Sequence, residues 1–172
     1  MENGIKKILR DKYGLFEKDI EILLEKFTKF SVPKREIILQ EGQTDHYIYF
    51  VEKGIVKSTI LREGREFIIF FALENDAPLS SPNLTESRQS LYTLEAVDTC
   101  ILWRISRKDL ATSFKDSLNL SNWGRMILQE WLTSSSFYFS SIHWMSKKEQ
   151  YQYLLKDCLL YTSPSPRDGL LS

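Results

Sequence analysis

The stretch from Leu79 to Ser90 holds the densest set of side chains able to do chemistry. Ser80, Ser81, Asn83, Thr85, Ser87 and Ser90 offer hydroxyl and amide groups that both donate and accept hydrogen bonds. Arg88 is the only cation between Arg65 and Arg104, and its fork of donors could clamp a carboxylate or phosphate. Ser80, Ser81, Asn83, Arg88 and Ser90 are therefore the candidate ligand-binding residues for a small polar molecule. An ordinary solvated loop is the competing reading, because hydroxyl-rich turns need no ligand and loop arginines commonly face water. No catalytic residue and no metal ligand is assigned. His46 and His143 lie far apart in the chain, and His46 follows Asp45 at a turn, as an exposed loop histidine would. Cys100 sits in an apolar run and reads as a buried structural thiol. With Cys158 it makes a total of two cysteines, whereas an iron–sulfur cluster wants about four thiolates. No Gly-x-Ser-x-Gly elbow, phosphate-binding loop or paired-histidine motif is present. The expectation is a protein that is not an enzyme and carries no cofactor.

The elements that must position these residues follow from the change of hydrophobic period along the chain. Ile5, Ile8 and Leu9 share one helical face, and Gly14 stops that pattern. A second helix is predicted over about 16–30, with Ile20, Leu23, Leu24 and Phe27 on one stripe and Pro33 just beyond it. From Glu36 the pattern becomes strand-like. Ile37–Gln40, Tyr47–Val51, Ile55–Leu61, Phe67–Phe71, Leu91–Val97 and Cys100–Ile105 are short runs rich in β-branched and aromatic residues. Gly42, Gly54 and Gly64 stand at the turns between them. The continuous apolarity of Phe67–Phe71 predicts a strand buried on both faces. Short strands at regular spacing predict an antiparallel sandwich or barrel, so the fold class is α+β. Helix returns at Ser106, where Ser106-Arg107-Lys108-Asp109 resembles a capping box. A longer helix is predicted from about Ser121. Trp123, Ile127, Trp131, Ser134, Tyr138, Ser141 and Met145 recur on it at heptad-like spacing.

Charge and length narrow the function classes. The 172 residues carry 23 Lys+Arg against 23 Asp+Glu, a formal net charge of zero. A nucleic-acid binder acting alone would show a basic excess, and a peripheral membrane protein would show a polybasic patch. The longest apolar run is too short to span a bilayer, and the polar N-terminus is not a signal peptide. A cytoplasmic protein without a membrane partner is expected.

The order of helices, jelly-roll and long helix resembles Crp/Fnr-type transcription regulators, which carry a cyclic nucleotide-binding-like domain. The resemblance rests on Leu39-Gln40-Glu41-Gly42, Tyr47–Gly54, Glu63-Gly64-Arg65-Glu66, Ala96-Val97 and Ile105–Leu110. It implies an antiparallel β jelly-roll with N-terminal helices and a long C-terminal dimerisation helix. It also implies a sensor β-roll over 1–120, a dimerisation helix over 121–145, and the start of a winged-helix DNA-binding domain over 146–157. The implied partners are a second copy, a small effector, and DNA through a domain lying past this sequence. Trp123, Ile127, Trp131 and Tyr138 are expected to form the homodimer seam, although packing on the chain's own barrel stands beside that reading. Cys158–Asp168 resembles a translated sequencing adapter, so 158–172 is expected to be a non-native tail replacing the natural continuation after Asp157.

The resemblance also sets a test for the ligand. Family members that bind cyclic AMP use a Gly-rich turn, a Glu for the ribose hydroxyl and an Arg for the phosphate. Here no glycine lies between Arg65 and Trp123. Aligned by length, Leu79-Ser80 falls on the Gly-Glu pair, and Ser90 falls on the phosphate arginine. Cyclic AMP is therefore not the expected effector. A stand-alone ligand-binding module remains an alternative. A cupin-type metal enzyme is a weaker one, because its site needs two or three converging histidines.

Overall fold

The computed structural model describes residues 4–81, 83–144 and 149. Residues up to Ser135 form one compact unit, and those from Ser136 onward belong to a second. The expected winged-helix start over 146–157 and the tail over 158–172 lie outside the described residues, apart from Glu149.

At the N-terminus α1 (Gly4–Lys7) runs into a π-helical turn (Ile8–Lys12), followed by α2 (Glu17–Leu24). Strands β1 (Thr28–Val32), β2 (Ile37–Leu39), β3 (Thr44–Asp45), β4 (Tyr47–Lys53), β5 (Val56–Arg62) and β6 (Arg65–Ala72) come next. After a long loop, β7 (Arg88–Gln89), β8 (Thr93–Ala96) and β9 (Cys100–Ser106) lead into α3 (Arg107–Asp116) and α4 (Leu118–Trp144). The strands pair antiparallel in three sheets, with orders β1-β9-β4, β2-β8-β5-β6 and β3-β7.

Strand alternation produces two cores from one sheet, because successive side chains point to opposite faces. One face of β4 and β9 carries Tyr49, Val51, Cys100 and Leu102, which pack with Leu39, Val56, Ala72, Leu94 and Ala96 inside the roll. The other face carries Ile48, Phe50, Trp103 and Ile105. These meet Ile5, Leu9, Ile20, Leu23, Leu110, Trp123 and Ile127 from the helices. The hairpin between β4 and β5 turns at Gly54, where φ is +94°. A Cβ there would lie 2.8 Å from Cys100 Sγ and 2.9 Å from the Thr99 carbonyl oxygen.

Three expectations change. The second helix ends at Leu24 rather than near Phe30, and Thr28–Val32 is strand β1, paired with β9 from Thr28↔Arg104 to Val32↔Cys100. Phe27 continues the helical spacing by coincidence. Its ring is buried through edge contacts with Phe50 at 5.7 Å and Trp103 at 6.5 Å. Strand β6 is not buried on both faces: it is the edge of its sheet, and Phe67 is 49% exposed. The stripe Trp123, Ile127 and Trp131, expected at a homodimer seam, is covered within this chain, each residue being 4% exposed or less. Trp123 stacks on Phe50 at 5.8 Å and meets Tyr13 and Phe114 edge-on. Trp131 Nε1 donates to the Ala77 carbonyl at 2.8 Å. The N-terminal segment and the loop after β6, rather than the roll alone, cover that face. Tyr138 lies within α4.

The capping reading holds: Ser106 Oγ accepts from the Asp109 backbone N–H at 3.0 Å and donates to the Asp109 carboxylate at 2.5 Å. These two bonds fix the first turn of α3 and place Arg107 at its start.

Candidate functional site

The segment from Leu73 to Ser90, comprising the loop between β6 and β7, the short β7 and the residue after it, carries the candidate ligand residues. Its start is a turn built on Asn75, at φ +74°. Asn75 N–H donates to the Val51 carbonyl at 2.8 Å, and Val51 N–H donates back to the Asp76 carbonyl at 2.9 Å. Its end is tied to the turn after β2, where Gly42 N–H donates to the Ser90 carbonyl at 2.9 Å. Ser90 N–H returns a bond to the Gln43 carbonyl at 2.8 Å. Leu91 N–H donates to the Ser80 carbonyl at 3.0 Å, which draws Ser80 and Ser90 together.

Ser80, Ser81 and Ser90 are all buried, and Ser90 Oγ lies 3.2 Å from the Ser80 carbonyl oxygen. Two of their hydroxyls are already engaged: Ser90 Oγ donates to the Tyr92 carbonyl at 2.6 Å, and Ser80 Oγ donates to Asp45 Oδ2 at 2.5 Å. Asn83 and Arg88 stand apart. Asn83 Oδ1 accepts from the backbone N–H groups of Thr85 and Glu86, both at 2.9 Å, as a turn residue does. Arg88 faces solvent with 65% of its side chain exposed, and its Nη2 donates to Glu86 Oε2 at 2.7 Å. That bond holds the Glu86 carboxyl below its ordinary range.

Two fully buried charges lie on residues that the sequence reading did not assign to the site. Asp45 and Arg107 form an ion pair in which both side chains are 1% exposed or less. Arg107 Nη2 donates to Asp45 Oδ2, Nε donates to the Asp45 carbonyl at 3.1 Å, and Nη2 lies 3.2 Å from Ser80 Oγ. Nη1 is buried with no hydrogen-bond partner among the described residues. The pair joins β3, the loop and α3 at a single point. Partners separated by 62 positions leave no local signal, so only the fold reveals them. Burial, together with the nearby Asp45 charge, pushes the Tyr49 hydroxyl up to about 12.

A second cluster holds the start of the loop. Lys12 Nζ lies 3.0 Å from Asp76 Oδ1 and 3.1 Å from Glu130 Oε2, and Tyr13 OH donates to that same glutamate oxygen at 3.0 Å. Burial works against the Lys12 charge, but the two carboxylates outweigh it and raise its pKa. Burial and Glu130 push the Tyr13 hydroxyl well above its ordinary value.

Among the described residues no group of three His, Cys, Asp or Glu side chains could hold a metal, and no helix is long and apolar enough to cross a membrane. What the site offers is hydrogen bonding and buried charge in a loop held between a β-roll and two helices. Comparisons with known proteins show the family to which this arrangement belongs. The family profile described as the cyclic nucleotide-binding domain matches residues 29–117, and the chain belongs to that family. A putative transcriptional regulator of the Crp/Fnr family from Eubacterium rectale is 21% identical, with a TM-score of 0.71. That match covers 88% of this chain and 71% of the other. CLP, the c-di-GMP responsive global regulator of Xanthomonas campestris, is 18% identical with a TM-score of 0.68, covering 83% and 72%. The regulatory domain of Toxoplasma gondii PKA, solved with cAMP, is 21% identical with a TM-score of 0.57. There the match covers 63% of this chain and 42% of that one, so the chain spans less than half of that relative's length. A search of curated proteins found no match.

Proposed function

We propose that this chain is the sensor and dimerisation part of a Crp/Fnr-family transcription regulator that takes a small effector other than cyclic AMP. It would act on a DNA-binding domain whose start falls at 146–157, with the sensor over 1–120 and the dimerisation helix over 121–145. The observation that carries the effector reading is the state of the loop. Where a ribose-binding glutamate would sit there is Ser80, and its hydroxyl is engaged by Asp45. The one loop arginine points outward to Glu86. The buried serines, with Ser81 closest to Ser80 in sequence, are the groups an effector would meet.

The homodimer needs a different face of α4 from the tryptophan stripe. Ser121, Arg125, Leu128, Leu132 and Ser135 recur at spacings of four and three, the period of a two-helix seam. Leu128 is 38% exposed and Leu132 is 69% exposed. A second copy of α4, related by a two-fold axis, would cover them. The effector reading is tested by thermal melting with millimolar cyclic AMP or cyclic GMP. No rise is expected. Saturation at a hundred times Kd would add about 2.7 kcal/mol, so a rise of several degrees would overturn it.

A further inference from the structure

Ser58 puts a hydroxyl into the apolar interior of the β-roll. It stands mid-strand in β5, two residues from Val56 and therefore on the same face. It is paired with Leu94 of β8 on one side and Phe70 of β6 on the other. Val56 and Leu94 belong to the inner core, and Phe70 packs against it. Ser58 is 0% exposed, and its Oγ has no hydrogen-bond partner among the described residues. A buried hydroxyl in that state is destabilising, and native chains seldom keep one unless something pairs with it. Water is a poor partner here: a trapped water is held by about two to four polar groups, and the side chains of Val56, Leu94 and Phe70 supply only carbon. An ionised group is a worse one, since these neighbours carry no opposite charge. What fits is a molecule that lays apolar surface against them and brings one uncharged hydrogen-bonding atom. Phe70 also packs against the outer core that contains Leu79 and Leu84, so this side chain joins the roll interior to the loop carrying the buried serines.

We propose that Ser58 is a specificity-determining residue of the effector site, whose hydroxyl selects a small molecule with an uncharged, mainly apolar buried end bearing a single hydroxyl, amide or carbonyl. This rests on the effector reading above and adds to it the chemistry of the effector's buried end. An isosteric molecule without that polar atom leaves Ser58 Oγ as unpaired as it is in the free chain, and is bound more weakly for that reason.

Benzyl alcohol and toluene, which share a ring and differ by one hydroxymethyl oxygen, are the probes. Amide chemical shifts of the full chain and of Ser58→Ala are followed as each probe is added. Benzyl alcohol is expected to shift β5, β6 and β8 saturably and to bind the parent chain about tenfold more tightly than toluene, the worth of one buried hydrogen bond. In Ser58→Ala that preference should vanish while toluene binding is kept. Without probe, Ser58→Ala should melt within about two degrees of the parent or above it, because it deletes a hydroxyl that bonds to nothing. Equal affinity of the parent for both probes overturns the proposal, as does a preference that survives in Ser58→Ala or the lack of a saturable shift with either probe. A larger drop in the melting temperature of Ser58→Ala means that a trapped water already pairs the hydroxyl, and it overturns the proposal too. None of these outcomes involves a cyclic nucleotide, so a failure here is distinct from a melting rise with cyclic AMP or cyclic GMP, which would overturn the effector reading itself.

Discussion

Trp131 and Leu132 are neighbours on α4, and the structure assigns them opposite fates. Trp131 is 4% exposed and donates to a carbonyl, whereas Leu132 is 69% exposed. Trp131→Ala empties an indole-sized site, which costs about 3–5 kcal/mol. It also strips the Ala77 carbonyl of its donor, worth about 1–3 kcal/mol if no water replaces it. Together these give a loss of about 4–6 kcal/mol after partial relaxation. For a chain of this size that lowers the melting temperature by about 10–20 °C. Leu132→Glu removes no buried contact, so stability at a fixed low concentration should move by less than about 0.5 kcal/mol. A buried glutamate in a two-helix seam would be costly, so the same variant should sediment as a monomer at concentrations where the parent chain is dimeric. Calorimetry and sedimentation velocity on both variants decide the matter. If Leu132→Glu unfolds the domain while Trp131→Ala leaves it stable and monomeric, α4 is rotated by one residue, about 100°, from the orientation described here.

Two further outcomes follow from local geometry. Lys12 and Tyr13 both have raised pKa values in the folded state, so their contribution is complete below about pH 10 and is lost as pH climbs through the folded values. Denaturant stability measured across pH 9–11.5 should fall in that window, and the fall should be shallower in Lys12→Met and Tyr13→Phe; an unchanged slope would remove the cluster from the explanation. Gly54→Ala should cost about 2–4 kcal/mol by urea titration, since it adds a left-handed strain to a clash with Cys100 and Thr99. Gly42→Ala, with φ +83° but nothing within 4 Å, should cost only about 1 kcal/mol. Equal costs would show that the Cys100 contact is relieved by movement.

The roll was legible because its signals are local. Gly42, Gly54 and Gly64 all adopt positive φ at the turns they mark, and Ser106 caps α3 through the residue three positions on. The errors arise where burial comes from a distant element. Phe27 keeps a helical spacing but is buried by β4 and β9, and Thr28–Phe30, within the predicted helix, belong to β1 instead. The apolar run in β6 carries no mark of lying at an edge, because edge position is set by which strands pair. The tryptophan stripe gave the apolar face of α4 correctly. What covers that face depends on Lys12–Tyr13 and Ala77, far away in the chain. Within the site, the serine group was visible as composition, while Asp45 and Arg107 became a pair only through folding.

That pair also shapes how the sequence can change over generations. Replacing Asp45 alone strands a buried guanidinium, and replacing Arg107 alone strands a buried carboxylate, each at a cost of about 3–5 kcal/mol. A domain only 5–15 kcal/mol more stable than its unfolded chain has little room for either intermediate. An apolar pair of similar volume could be as stable as the present one, yet it is reached only if both codons change together. The two positions should therefore be inherited as a unit, each making the other nearly immutable, and Ser80 should drift only as far as their shared geometry lets it.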